Sequence, residues 1–176
     1  LVAYSGGADQ LVFDFETGRI QEAEFAERFA ERINEVTGFE VPHEGLVARV
    51  FAGLSLEEDM LSALETTRAA GFKTAMLSNS WGESLYPRER LDHLFDVMVI
   101  SGEIGMRKPD REIFDATIER LGVPAEASIF VDDHPGHLQT AAELGMTTVL
   151  HRSPAETLAE LGELLNLELT LADPAE

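Results

Sequence analysis

Residues 128–136 read SIFVDDHPG and join a short apolar run to two adjacent acids. The run at 129–131 has the length and composition of a buried strand in a parallel sheet, and the acids follow where it ends. Two carboxylates at the end of a buried strand cost free energy unless they are paired or bind a cation. Asp132 and Asp133 are therefore candidate Mg²⁺ ligands, because that ion prefers oxygen donors. Helix capping by Asp133 or a neighbour is the alternative.

On both sides of this stretch, short apolar runs alternate with amphipathic segments from Gly71 onward. The predicted strands span residues 72–77, 97–100, 129–131 and 147–150. The predicted helical segments span residues 82–94, 109–121 and 136–144, and a last helix follows Ser153. Repeated strand–helix units imply right-handed crossovers, so we expect an α/β fold in which helices cover a parallel sheet. Ligands of such sheets bind beyond the carboxyl ends of the strands.

The part of the chain before Gly71 has a helical pattern instead. Apolar residues recur at intervals of three and four, which predicts helices at residues 21–36, 44–54 and 55–70. Ser55 followed by Glu58 matches a capping box, and Gly71 is expected to end that helix. Later in the chain we expect Pro109 at the first position of a helix and a capping box that begins at Ser153.

Two further strand ends are followed by polar side chains. Ser78 and Asn79 come directly after the strand at 72–77, although both residue types are also common in turns. Lys108 follows the next strand, and a lone lysine before a proline is usually solvated. Taken together, a hydroxyl, a cation and the acid pair at one edge of a sheet match phosphoryl chemistry, in which Mg²⁺ and lysine offset negative charge.

The composition limits the classes of partner. The 176 residues carry 33 acids against 13 Lys and Arg, a formal net charge of −20, which disfavours nucleic acid and membrane surfaces. A small phosphorylated substrate remains compatible, because a local site can supply its own cation. The chain has no cysteine, no apolar run of membrane-spanning length and no signal-peptide pattern, so we expect a cytoplasmic location.

Three stretches together resemble the haloacid dehalogenase superfamily of hydrolases. TAMLSNSW (74–81) resembles its second motif, GEIGMRKPDREIF (102–114) its third, and SIFVDDHPGHLQTAAELGM (128–146) its fourth. The phosphatase-type members of the superfamily are the most similar. One departure is His137, which stands where relatives often carry Asn, five residues after Asp132. It either takes over that hydrogen-bonding role or faces solvent.

The resemblance implies a Rossmann-like parallel-sheet core with a helical cap inserted after the first strand. Residues 1–70 would then be the cap, 71–166 the core and 167–176 a tail. It also implies two-step hydrolysis of a small phosphorylated metabolite through an aspartyl-phosphate, with Mg²⁺ as cofactor.

Carried over residue by residue, the resemblance makes Ser78 a ligand of a phosphoryl oxygen, with Asn79 beside it. Lys108 would hold the nucleophile and the transferring group. Asp132, with Asp133, would bind Mg²⁺. The acid pair favours a metal-dependent phosphatase over a true dehalogenase, which uses no metal.

The nucleophilic aspartate of this family closes the first strand, and LVFDFETG at 11–18 is the one stretch that partly matches. Asp14 would be that aspartate and Glu16 its acid/base partner. However, the apolar run is short, and the surrounding sequence resembles the opening of the cap. We therefore predict a cap helix that ends near Gly18 and place the nucleophile upstream of Leu1.

Two alternatives stay open from the sequence. The chain could be a catalytically silent binding or regulatory module, or a shortened enzyme that uses Asp14. If the first strand lies outside the chain, the strand at 72–77 should have an unpaired edge.

Overall fold

The computed structural model describes residues 10–81 and 86–171; the predicted features at 1–9, 82–85 and 172–176 lie outside these ranges. The helices, in chain order, are α1 (Gln10–Glu16), α2 (Glu22–Thr37), α3 (Leu46–Val50), α4 (Glu58–Ala69), α5 (Arg88–Leu91), α6 (Ser101–Ile104), α7 (Arg111–Leu121), α8 (Pro135–Glu143) and α9 (Pro154–Leu165). The strands are β1 (Ala75–Ser78), β2 (Val97–Ile100), β3 (Ile129–Asp132) and β4 (Thr147–Leu150). No helix in the described ranges has the length and hydropathy needed to cross a membrane.

The strands confirm the predicted α/β class but form two separate pairs. β1 bonds to β2, and β3 bonds to β4 in parallel, with Ile129 opposite Thr147 and Asp132 opposite Leu150. In the described residues no strand bonds to both pairs, so each pair keeps two unpaired edges. The side chains of β1 are all only half-buried, as are the first three of β3. Parallel strands are usually covered on both faces, so these two strands are less covered than their sequences predict.

Several helix boundaries differ from the predictions. The capping box at Ser55 is wrong, because α4 begins three residues later with Glu57 at its N-cap and no side-chain cap. Pro109 does not occupy the first helical position, since Asp110 is the N-cap of α7 and the Lys108–Pro109 peptide bond is cis. α3 is shorter than expected and ends at Val50.

Other local predictions are confirmed. The stretch with Asp14 is helical, and Leu11, Val12 and Phe15 form its buried face. The start of α9 is capped as predicted, because the Ser153 hydroxyl accepts the N–H of Glu156. Both outcomes agree with short-range sequence signals, an apolar face in α1 and a capping side chain before α9.

The described residues form two compact units. The first contains the residues up to Leu54 together with the segments 78–81, 86 and 100–107, and the second contains the rest. α4 belongs to the second unit, and the predicted division into a cap and a core at residue 70 stays a prediction. The assignment of a cap role to the first unit stays a prediction.

The first unit has an aromatic core. Phe15 and Phe25 stack with their ring centroids 4.2 Å apart, and Trp81 meets both rings edge-on. Leu11, Val12 and Val47 complete the buried cluster. These contacts hold α1, α2 and α3 against the segment that follows β1.

The second unit packs helices against its strand pairs. Ile113 and Phe114 of α7, Ala141 of α8 and Val149 of β4 are fully buried. Phe114 meets Phe130 of β3 edge-on at 5.2 Å. This packing fixes the end of β3, where the acid pair lies.

Asp96 links the entry of β2 to the entry of β1. Its Oδ2 accepts the N–H of Thr74 at 2.8 Å and Nη1 of Arg68 at 2.7 Å, and its own N–H donates to the Thr74 carbonyl. The N–H of Thr74, together with Arg68, holds the pKa of Asp96 below its usual range against the opposing effect of burial.

Asp96→Asn should therefore lower the free energy of unfolding at pH 7 and flatten its decline in acid. A carboxyl whose pKa is lowered by folding adds stability above its unfolded pKa of about 3.9, and this stability is lost as the pH falls through the folded value. Urea unfolding between pH 7 and 2 measures the effect. The exposed Asp92, substituted in the same way, is the control. Parallel pH curves for wild type and Asp96→Asn would contradict the assignment.

Candidate active site

Asp132 ends β3, and its carboxylate meets the lysine that precedes α7. Lys108 Nζ lies 2.6 Å from Asp132 Oδ2, and the two side chains are 11% and 6% exposed. The ammonium group also lies 5.7 Å from the centroid of the Phe130 ring. The sequence predicted Asp132 directly after a strand and Lys108 in the segment that follows another strand, and the structure brings these two together. Their pairing satisfies two charges that would be costly to bury separately.

The other oxygen of Asp132 is held by the start of α8. Asp132 Oδ1 accepts the N–H of His134 at 2.8 Å and lies 2.9 Å from His137 Nδ1. His137 is 16% exposed, so it does not simply face solvent. It takes the hydrogen-bonding role that the sequence left open, and the bond to Oδ1 requires the proton on Nδ1.

These contacts set the charge state of the carboxylate. Burial raises the pKa of Asp132, but the hydrogen bond with His137 and the positive charge of Lys108 outweigh burial. The resulting pKa lies well below the usual range of a carboxyl. Asp132 is therefore an anion at neutral pH, and its carboxylate oxygens lie at the carboxyl end of β3.

The acid pair fits a magnesium ion only in part. Asp132 Oδ1 already takes two donors, whereas Oδ2 takes Lys108 and keeps one lone pair. Asp133 is exposed. Across the described residues no three acidic or histidine side chains are arranged to hold a metal ion. Mg²⁺ commonly binds through one or two carboxylates and fills its shell with water or substrate, and these two residues could supply that minimum.

Helix capping at this point falls to the neighbour of Asp133. His134 is the N-cap of α8, and its Nδ1 accepts the N–H of Gly136 at 3.2 Å. The His134 and His137 rings lie 4.5 Å apart, so the two histidines pack on each other. His134 thus has a structural role that accounts for its position.

Ser78 and Asn79 lie at the end of β1 and belong to the first unit. The Ser78 hydroxyl is 2.9 Å from the hydroxyl of Tyr86, and the Tyr86 hydroxyl also donates to the Asn79 carbonyl at 3.4 Å. Both residues are half-buried. Their predicted meeting with Lys108 and Asp132, which lie in the second unit, stays a prediction.

A buried ion pair in the first unit was not predicted from the sequence. Arg107 Nη1 lies 2.6 Å from Glu16 Oε2, with the side chains 11% and 7% exposed, and Trp81 Nε1 donates to Glu16 Oε1 at 3.1 Å. The helical pattern contained a signal for it. Glu16 falls four residues after Val12, on the buried face of α1, where a charge needs a partner.

Asp14 has a different environment on the same helix. Its side chain is 20% exposed, accepts a hydrogen bond from Gln10 at 2.7 Å and lies 3.6 Å from Arg19. It sits within α1 and not at the end of a strand. The strand that would make Asp14 a nucleophile is therefore absent at this position.

Comparison with known proteins gives a consistent set of similarities. A model of the haloacid dehalogenase-like hydrolases matches residues 23–151. The chain is 34% identical over 179 residues to acyl-CoA dehydrogenase family member 10 of Mus musculus, which covers 96% of this chain and 16% of that protein. It is 30% identical over 184 residues to bifunctional epoxide hydrolase 2 of Sus scrofa, with coverages of 97% and 33%.

A plant protein and a solved structure extend the set. Flavin mononucleotide hydrolase 1 of Arabidopsis thaliana is 30% identical over 154 residues, with coverages of 85% and 61%. The chain thus spans less than two thirds of each of these three relatives. A haloacid dehalogenase family enzyme of Bacteroides thetaiotaomicron, crystallised with magnesium and inorganic phosphate, is 26% identical. Its TM-score is 0.67, over 87% of this chain and 79% of that one.

Proposed function

The chain belongs to the haloacid dehalogenase-like hydrolases, and from that premise we propose that it forms part of a Mg²⁺-dependent phosphatase. Its substrate would be a small phosphorylated metabolite, hydrolysed through an aspartyl-phosphate. The contact of Lys108 with Asp132, reinforced by His137, is the observation that carries the proposal. The plant relative named as a flavin mononucleotide hydrolase supports this substrate class.

Each residue of the proposed site has a chemical task. Lys108 supplies a buried positive charge to the transferring phosphoryl group, and Ser78 with Asn79 would bind its oxygens. Asp132, with Asp133, would hold Mg²⁺, which offsets negative charge on the phosphoryl oxygens. His137 keeps the Asp132 carboxylate in one orientation.

The nucleophile of the proposed reaction is an aspartate outside the described residues. Two observations support this. Asp14 lies within a helix, and the strands of the second unit form two pairs whose apolar side chains are only half-buried in β1 and mostly so in β3. A further strand at the unpaired edges would satisfy their backbone donors and acceptors and place its own side chains beside those of β1 and β3. Its predicted place before Leu1 stays a prediction, as does a cytoplasmic location.

The direct test is phosphate release by the full-length protein. A panel of small phosphate monoesters that includes flavin mononucleotide would be assayed with Mg²⁺ and with excess chelator. We expect turnover that chelation abolishes and that added Mg²⁺ restores. Binding of Mg²⁺ and phosphate without any turnover of the panel would favour a silent binding module instead.

Asp14→Asn should keep kcat within about twofold of wild type in that assay. The Asp14 side chain is partly exposed and contacts Gln10 and Arg19 at the surface of α1, and surface pairs of this kind contribute little. A loss of turnover without unfolding would instead make Asp14 the nucleophile. Circular dichroism on the same samples shows whether a loss of turnover comes from unfolding or from loss of the nucleophile.

A further inference from the structure

Three segments of the first unit meet at Glu16. The carboxylate binds Trp81 from the segment after β1 and Arg107 from the segment after β2. The backbone carbonyl of Glu16 accepts the hydroxyl of Ser101 at 2.5 Å, and that hydroxyl accepts the N–H of Ser80 at 2.7 Å. One residue of α1 therefore fastens both segments by its side chain and by its backbone.

The backbones approach closely at this point, so that a Cβ on either of two glycines would meet a neighbouring segment. Gly18 has a φ of +69°, and a Cβ there would lie 2.4 Å from the carbonyl oxygen of Gly102. A Cβ on Gly102 would lie 3.3 Å from Ser80 Cβ. The glycines thus allow the contacts that Glu16 makes, because a larger residue would push the segments apart.

A cation and an aromatic ring complete the arrangement. The Arg107 guanidinium lies 4.8 Å from the centroid of the Phe13 ring, and its Nε is buried without a hydrogen-bond partner among the described residues. The ion pair with Glu16 is therefore the main polar contact that holds Arg107 in place. A buried arginine with one such partner depends strongly on it.

We propose that Glu16 is a positioning residue that fixes the two segments next to the phosphoryl-binding residues. Trp81 is two residues after Asn79, and Arg107 is directly bonded to Lys108 in the chain. Because Trp81 and Arg107 bind the same carboxylate, the backbone next to Asn79 and next to Lys108 is restricted. This inference rests on the proposed phosphatase function. It adds Glu16, Trp81 and Arg107 as residues that position the phosphoryl-binding groups.

The competing role for Glu16 is acid/base catalysis, the role that the sequence suggested for it as a partner of Asp14. A carboxylate that is buried against a guanidinium and an indole N–H has both oxygens occupied by fixed partners. A positioning residue and a proton carrier differ in one measurable respect. Removing a proton carrier deletes a limb of the pH profile of kcat, whereas removing a positioning residue lowers the whole profile.

The test compares Glu16→Ala and Glu16→Gln with Asp14→Asn as a matched control on the same helix. In the full-length protein with Mg²⁺, we expect Glu16→Ala to lower kcat by roughly 10- to 100-fold, because small misplacements of catalytic groups have effects of this size. KM should change by no more than about threefold if the loss falls on the positioned groups. The shape of the pH profile should stay the same, and Asp14→Asn should match wild type.

Trp81 gives a second readout that does not depend on turnover. It is the one tryptophan among these 176 residues, and subtracting the emission of a Trp81→Phe variant isolates its signal from any tryptophan elsewhere in the full-length protein. Glu16→Ala removes the acceptor of the indole N–H and should shift the emission to longer wavelength and increase acrylamide quenching. Glu16→Gln keeps an acceptor but removes the charge that holds Arg107, so it should lower kcat with a smaller spectral change. If Glu16→Ala does not fold, Glu16→Gln carries the test.

The outcomes separate this inference from the function on which it rests. An inactive wild type across the substrate panel would overturn the phosphatase and the positioning role together. An active wild type whose Glu16 variants keep full kcat would overturn the positioning role alone, even if the fluorescence changes. Loss of one limb of the pH profile in Glu16→Gln would replace positioning by proton transfer.

Discussion

Lys108→Met is expected to lower kcat by roughly 100- to 1,000-fold, the usual effect of removing one group that stabilises transition-state charge. Methionine keeps the length and apolar volume of the lysine stem but removes the ammonium group that lies 2.6 Å from Asp132. The phosphoryl group would then lose a buried cation at the moment when its charge must be offset. Phosphate release at saturating substrate measures the effect.

The same substitution should also lower stability, though to a smaller extent. Asp132 would lose its ionic partner but keep the hydrogen bonds from His134 and His137. We expect the free energy of unfolding to fall by about 1–3 kcal/mol, the cost of a buried polar group that loses one partner. Lys73→Met is the matched control, because Lys73 is exposed and its hydrogen bond goes to the Leu121 carbonyl, away from Asp132. Turnover within about twofold of wild type would show that Lys108 does not stabilise the transferring group.

Arg107→Met should reduce the free energy of unfolding by about 3–5 kcal/mol, because it leaves the Glu16 carboxylate buried without its ionic partner. Trp81 would remain as a donor to one oxygen, which keeps the loss below that of a fully isolated charge. Urea unfolding at pH 7 measures the difference. Arg111→Met is the control, since the Arg111–Asp115 pair on α7 is exposed and should be worth less than about 1 kcal/mol.

The double variant Glu16→Gln with Arg107→Met tests whether the ion pair is the source of the loss. Neither buried charge remains in it, so its stability should recover part of the loss seen for Arg107→Met alone. The double-mutant cycle then isolates the coupling between the two side chains. Additive losses in the cycle would mean that the two residues stabilise the first unit independently, which contradicts the ion pair as the source.

The sequence predicted best where structure depends on nearby residues. The bounds of β2 and β4 and the cap at Ser153 agree with the structure, because apolar runs and capping side chains act over a few residues. The α1 helix was also predictable from its apolar face. The meeting of Lys108 with Asp132 followed from the rule that ligands of parallel sheets gather at carboxyl ends of strands.

The sequence predicted least where structure depends on packing. The pattern at 44–54 continues as an apolar face, yet Val50 and Leu54 are exposed and α3 stops at Val50. Helices this short form only where tertiary contacts cover their apolar face, which no periodicity reveals. The Glu16–Arg107 pair escaped for a similar reason, since its partners lie 91 residues apart in the chain.

The two separate strand pairs also bear on how this chain behaves in solution. Each pair has edges to which no described strand bonds, next to half-buried apolar side chains, and without a further strand these edges would keep free backbone donors and acceptors. Such edges are templates for pairing with strands of other molecules. The 33 acids, which give the chain its charge of −20, oppose that pairing by mutual repulsion. Solubility of these 176 residues should therefore depend on ionic strength, because salt screens the repulsion and leaves the open edges free to associate.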